Sequence, residues 1–469
     1  MKKMRRTTII LMGCVALLIG LFVAKYIHPI SIQWYWTLAV LLPLLFTRKL
    51  RVAYILIALL LVGLGRGGMY QESFQNIAQK KKKKVTINGY ALEDGSYSYN
   101  GQLETVMSVE TINDAPVTGK VTVRGYEPAL YRNDTLEATG KIMPTKGGKQ
   151  GTMSYADITV TARSNSTIED IRHSFIAGMQ NALPEPAASL GVGILVGQRS
   201  LLPDDVATAL QVAGLTHIVA VSGYNLTIII NAVKRLTRRL SRFQTIAISA
   251  GLIYAFLLIT GFSPSIVRAS LVAAIGLAAW YYGRELRPIV LIMFVAAVTG
   301  FANPYYVWGD LGWYLSFLAF SGVLIVAPLI ITLITKNKKE LPLIPTIAIE
   351  SFSAQLMTMP LIMYAFGRIS TVGLLANSVI VPLVPLAMLT SFIAGVTGMV
   401  VPQIAGWIGL PARILLNSMI NLSEWMASIP YATVALQLTT ITMLVLYSII
   451  GIVVIGLKKR SQSVIIAVK

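Results

Sequence analysis

GLTHIVAVSGYNLTIII, residues 214–230, is almost wholly apolar yet carries His217, Ser222 and Asn225. Read as one helix from Gly214 to Asn231, the stretch places those three side chains within an arc of about 140°, at 100° per residue. Polar groups in hydrocarbon are costly unless they face protein or water. The stripe is therefore either a set of interhelical hydrogen bonds or the lining of a hydrated passage. A third reading, a His217–Ser222 catalytic dyad, fits poorly. On one helix the two side chains diverge by about 140°, and a serine nucleophile needs its base directed at it.

Composition sets the frame for that choice. The chain has 469 residues, 55% hydrophobic and only 13% charged, with a mean hydropathy of +0.67. A soluble chain carries about twice that charged fraction, so the sequence predicts a protein with many membrane spans. One cysteine, Cys14, excludes an internal disulfide framework. Three histidines (His28, His173, His217) with no metal-ligand spacing exclude a zinc hydrolase, so no metal or cofactor is expected. LMGC, ending at Cys14, resembles a lipoprotein cleavage box. The apolar run continues to Ala24, however, and reads as an uncleaved first span.

Hydropathy divides the chain into five parts. Residues 1–68 hold apolar segments at 7–24, 33–46 and 52–65, read as N-terminal transmembrane helices. Residues 69–165 are polar and contain VTINGYALED, GQLETVMSVETI, GKVTVRGYE, DTLEATGKIM and YADITVTARS. Their period-two alternation and Asn-Gly, Asn-Asp and Gly-Gly breaks predict five short strands. Five such strands suit a small Greek-key barrel of the OB type. Residues 166–186 read as an amphipathic linker helix with a Ser or Thr cap. Residues 187–460 form a second transmembrane block, with apolar segments at 187–197, 206–233, 244–262, 264–283, 289–302, 311–335, 342–366, 370–400, 404–424 and 433–457. The segment at 370–400 is either one long helix or a pair broken around VPLVP. Residues 461–469 are a tail. The fold class is thus an α-helical polytopic membrane protein with a small β-barrel domain after its N-terminal spans.

The net charge is +20. KRLTRRLSR (234–242), RELR (284–287), KNKKE (336–340) and KKR (458–460) alternate along the chain with GFSPS, NPYYVWGD and IPYAT. The first group holds thirteen basic residues and the second none. With MKKMRR and TRKLR, twenty of the forty Lys and Arg fall on one face. The positive-inside pattern then predicts a plasma-membrane protein with its β domain outside and its C-terminus in the cytoplasm. From residue 80 to 165 there are twelve basic and nine acidic residues, and KKKKK (80–84) supplies five of the basic ones. The barrel itself is therefore no strongly basic clamp. The lysine run is either a linker at an anionic lipid surface or an attractor for a polyanion.

Other polar residues interrupt the second block. Arg268 lies early in SPSIVRASLVAA, Asp310 in NPYYVWGDLGWYLSF, Glu350 in IPTIAIESFSAQLMTMP, and Asn377 in LLANSVIVP. The bland account makes Arg268 and Asp310 an ion pair; the functional one turns these groups toward water. No nucleotide-binding phosphate loop is present, so the chain does not drive transport by nucleotide hydrolysis.

Taken in order, these stretches resemble one family. GILVGQRSLLPDDVATALQVAG, with its Gly197-to-Arg199 step, precedes GLTHIVAVSGYNLTII; GFSPSIVRAS, NPYYVWGDLGWYLSFLA and LLANSVIVPLVP follow. Together they look like the ComEC-type competence proteins, the DNA-internalisation channels of bacterial transformation. DTLEATGKI and YADITV are similar to that family's OB-like domain. The family signature usually ends Ser-Gly-x-His, whereas this chain has Ser222, Gly223 and then Asn225, which keeps a hydrogen bond but does not titrate. Many relatives continue into a metallo-β-lactamase-like domain, and the sequence is read as lacking it.

The resemblance implies a non-enzymatic channel for single-stranded DNA, with His217, Ser222, Gly223, Asn225, Arg268, Asp310, Glu350 and Asn377 as lining or motif residues. It implies membrane lipids, a DNA receptor, a separate nuclease and a cytoplasmic motor ATPase as partners. The alternative from the residues is a secondary transporter of a small anion or lipid-linked substrate, with Glu350 and breaks at Pro264 and Pro382 serving ion coupling.

Overall fold

In the computed structural model the described residues are 6–27, 51–78, 84–97, 102–127, 129–143, 149–198, 201–219, 223–335 and 341–468. The apolar segment expected at 33–46 lies outside them. The chain divides into two compact units, Met1–Glu169 with Ile289–Trp313, and Asp170–Pro288 with Tyr314–Lys469.

The first unit contains the helices Arg6–Val23 and Arg51–Ala78, the second of which runs well beyond the anticipated boundary at residue 68. They pack with almost no space between backbones. A Cβ on Gly20 would collide with the Leu60 carbonyl, and one on Gly63 with that of Leu17. Where apolar side chains gain nothing by leaving lipid, small residues that let backbones touch are the main source of attraction. Arg66 donates through Nε to the Phe301 carbonyl (3.1 Å) and through Nη2 to that of Ala302 (3.0 Å). It thereby closes the C-terminus of the Pro288–Ala302 helix with a cation, where the dipole favours one.

The β domain follows as β1 (Lys84–Ala91), the two-residue β2 (Ser96–Tyr97), β3 (Leu103–Ile112), β4 (Ala115–Gly125), β5 (Thr135–Met143) and β6 (Gly151–Ala162). The order β1-β5-β6-β4-β3, with β1 also paired to β3, closes a five-stranded barrel in which β4 and β6 run parallel. This is the OB-like barrel expected from the alternation. The inward-facing positions Ile87, Met107, Ile112, Val121, Val123, Leu136 and Ile142 are buried together, each contributing about 1.5–3 kcal/mol of apolar burial. Gly89 sits at the β1–β3 irregularity, where a Cβ would strike the Ser108 carbonyl. At the barrel's end the Arg132 Nη2–Glu169 Oε1 pair is 2.6 Å long, with both side chains at least nine-tenths buried. Asp134, also buried, accepts from the backbone N–H groups of Tyr131 (3.0 Å) and Ser164 (3.1 Å).

Among the described residues eight helices are long and apolar enough to cross a membrane. The remaining expected segments resolve differently. Residues 187–197 form a ten-residue helix, Ala187–Val196, buried almost throughout, too short to span. Residues 289–302 form the fifteen-residue helix Pro288–Ala302. Residues 404–424 divide into Pro402–Ile408 and Leu410–Ala427, and residues 206–233 divide into three pieces described below. The 370–400 segment is a helix pair, Gly373–Ile380 and Val384–Val400, joined by one 3₁₀ turn that keeps it continuous over 28 residues.

Removing one partner of a buried ion pair strands a charge and typically costs about 3–5 kcal/mol. Glu169→Leu alone should therefore lower the unfolding midpoint of the β domain by several degrees. The double change Arg132→Met/Glu169→Leu should recover most of that loss. Thermal unfolding followed by barrel-sensitive circular dichroism checks both.

Candidate functional site

The apolar run 206–233 is not one helix. Pro203 and the acidic pair Asp204–Asp205 start the helix Asp204–Val212, placing negative charge at its positive end. Gly214, at φ +73, stops it. The Leu215 N–H bonds back to the Leu210 carbonyl at 2.7 Å and that of Gly214 to Gln211 at 3.1 Å, the left-handed glycine closure of a helix C-terminus. A four-residue helix, Thr216–Val219, comes next, and after residues 220–222 the helix Gly223–Leu236 begins. The expectation of a helix beginning at Gly214 is thus corrected: Gly214 ends the preceding helix, and the next described helical residue is Thr216. Ser222 lies outside the described residues.

His217 is on the short helix. Its ring reaches the Gly214 backbone, and its side chain is exposed. Asn225 behaves differently. It is buried, and its Nδ2 donates to the Ile194 carbonyl at 3.0 Å. Ile194 lies in the last turn of Ala187–Val196, where carbonyls lack partners inside the helix. Asn225 therefore ties the helix Gly223–Leu236 to the end of Ala187–Val196.

Gly223 brings further motif residues to this point. Its missing Cβ would sit 3.0 Å from the Ala269 methyl and 3.5 Å from the Phe320 ring, so the helix Pro264–Tyr281 approaches closely. Arg268, next to Ala269, is only 2% exposed. Tyr224 stands within electrostatic reach of Glu350, a half-buried carboxylate on the helix Leu343–Phe366. Opposite that helix, a π-helical turn at Gly322–Val326 interrupts the Leu311–Thr335 span, and Gly322 there touches the backbone of Ser353 and Ala354. Tyr224 and Gly322 carry no sequence signal beyond position: one follows the Ser-Gly step and the other is a lone glycine in an apolar run.

Two predicted residues lie apart from this cluster. Asp310, in the first unit, caps the helix Leu311–Ser321, its Oδ1 accepting from the Trp313 N–H at 2.6 Å. Burial, and then the Asp310 carboxylate, push the Tyr305 phenol up. Asn377 is half-buried on Gly373–Ile380, whose first turn packs on Gly214. Its Oδ1 is buried with no hydrogen-bond partner among the described residues.

A separate cleft of about 530 Å³ is lined by Glu185, Asp205, Glu424, Asn417 and Asn421. Three carboxylates make it repulsive to a polyanion. No group of three or more His, Cys, Asp or Glu among the described residues is placed to hold a metal ion.

The family model described as "Competence protein" matches residues 194–461, more than half the chain. The chain is also 26% identical over 297 residues to ComE operon protein 3 of Bacillus subtilis (strain 168), an alignment covering 62% of this chain and 37% of that protein. The chain therefore spans well under half the length of the curated relative it matches. No solved structure matches.

If the Asn225–Ile194 bond secures the helix interruption, Asn225→Leu strands a buried carbonyl at a cost of about 1–3 kcal/mol. Solubilised protein carrying Asn225→Leu should unfold at a lower temperature than the parent, while Asn225→Gln or Asn225→His, which keep a donor, should fall between.

Proposed function

The chain belongs to the competence protein family, and on that premise we propose that it serves DNA uptake as a plasma-membrane conduit for single-stranded DNA with no enzymatic activity of its own. His217 carries this reading: it is exposed within an otherwise apolar stretch, six residues before the point where Gly223 seats against the helix Pro264–Tyr281. In this reading the ring borders a water-filled crevice. Gly223 approaches Ala269, the neighbour of buried Arg268, and Tyr224 lies within electrostatic reach of half-buried Glu350, which supports a shared polar lining.

The chemistry suits transit of a polyanion. Tight phosphate binding would stall a strand, so a passage needs weak and repeated contacts. Sparse cations with amide, hydroxyl and aromatic surfaces supply these better than a dense lysine lining. In this reading the barrel lies outside and the C-terminus inside, as loop charge favours. A separate receptor delivers DNA, a separate nuclease removes the complementary strand, and a motor ATPase pulls.

Two measurements test it. Cys14 is the only native cysteine, so in a Cys14→Ser background a cysteine introduced at His217 should react with a membrane-impermeant thiol reagent, and one introduced at Asn225 should not. In cells, Arg268→Ala should lower transformation at least tenfold at normal protein levels. Equal transformation by the variant, or liposomes containing the protein that admit ions on a gradient but no oligonucleotide, would favour the small-solute transporter instead.

A further inference from the structure

The helices Gly223–Leu236 and Pro264–Tyr281 run side by side in the same direction, joined by the returning helix Arg242–Thr260. At one end Gly223 meets Ala269. Eleven residues further along each helix, about 16 Å of helical rise, Lys234 meets Trp280: its Nζ lies 5.3 Å from the indole centroid. The Arg242 guanidinium lies 5.8 Å from the same ring. A capping box at Ser241 and Gln244 starts the returning helix just before Arg242 and so sets the turn. The left-handed Gly283 turns the chain after Tyr282.

These two turns bring together Lys234, Arg235, Arg238, Arg239, Arg242, Arg284 and Arg287, against the single acid Glu285. Among the described residues none of the seven is in an ion pair. Aromatic rings lie among them. Tyr281 and Tyr282 pack edge to face at 5.1 Å, with Tyr282 71% exposed, and Phe243 is 69% exposed.

Retention of positive charge on one side of a membrane accounts for basic loops, but it treats Lys and Arg alike and asks for no aromatic surface. Six of these seven cations are arginine, whereas KNKKE (336–340) has none and no aromatic residue adjoining it in sequence. Arginine is the cation whose planar fork matches phosphate oxygens and stacks on rings. Exposed rings beside arginines are what a single strand of nucleic acid uses, phosphates on the cations and bases on the rings.

We infer that the 234–243 turn and the 280–287 segment form one docking surface for single-stranded DNA, at the opposite end of the helix pair from Arg268. The inference rests on the conduit reading for its biological sense, since it places the surface where a strand passing Arg268 would arrive. It stands on its own as a binding claim.

The test uses the full chain in nanodiscs of zwitterionic lipid, with a fluorescein-labelled thymidine oligonucleotide read by anisotropy across a salt series. Arg235→Gln/Arg238→Gln/Arg239→Gln should flatten the log K against log salt slope by about 2, at roughly 0.7 for each phosphate no longer neutralised. Tyr282→Leu, and separately Trp280→Leu, should weaken binding by about 5- to 100-fold with the slope unchanged, as removal of a stacked base does. Affinity indifferent to both aromatic changes would overturn the surface, leaving only diffuse attraction. So would strand binding that vanishes when anionic lipid is added to the nanodisc, which would make this a headgroup site. Either failure leaves the conduit reading to its own test. Liposomes that admit no oligonucleotide, while these variants behave as expected, would instead remove the conduit and keep the surface.

Discussion

One hydrogen bond, from the Asn225 amide to the Ile194 carbonyl, shows the constraint on which the second unit depends. A helix that stops among apolar side chains exposes carbonyls that water would otherwise satisfy, and each costs energy until something donates to it. Here a side chain thirty-one residues away does so. Because that amide is fixed, the helix Gly223–Leu236 is held against the end of Ala187–Val196, and Gly223 seats against Ala269. The positions of Arg268, Tyr224 and Glu350 follow from that seat. The end of Ala187–Val196 and its repair by Asn225 thus hold Tyr224 and Gly223 where they meet residues that the linear sequence scatters over more than a hundred positions.

Much of this architecture is legible in the sequence, for identifiable reasons. Barrel strands announce themselves because side chains alternate across a sheet with period two, and TVMSVETI and KVTVRGY keep that alternation through β3 and β4. Long apolar spans announce themselves by length. The broken segment does not, because hydropathy averages over a stop. Gly214 is visible as a glycine, yet the apolar run around it suggests a helix start where the structure has a helix end; Asp204 and Asp205, ten residues earlier, mark the true start. Asn225 makes the interhelical hydrogen bond that one reading of the stripe anticipates, but its partner cannot be read, since it is a backbone carbonyl and carbonyls have no letter in a sequence. Asp310 reads as a candidate lining group; the structure makes it a helix cap in the other unit, the ordinary occupation of Asp before an apolar run.

Charge separates the parts by chemistry. The barrel is close to neutral once the lysine run is set aside, and its ionic groups are engaged in internal pairs such as Arg132–Glu169 and Arg163–Asp134. The arginine-rich turns of the second unit have no such internal partners among the described residues, so their field is directed outward. A polyanion would accordingly feel the turns more than the barrel, and the acidic cleft at Glu185, Asp205 and Glu424 would repel it.

The π turn at Gly322–Val326 has a mechanical consequence. A wide turn holds one residue more than an α-helical turn, and each residue of helix carries its neighbours through about 100°. The extra residue is taken up inside the wide turn, so deleting it would restore regular winding while leaving Ala327–Thr335 facing the helix that bears Glu350 nearly as before. The span therefore contains a movable joint: sliding of the bulge by one position would turn the residue it passes by about 100° while both flanks of the helix keep their faces.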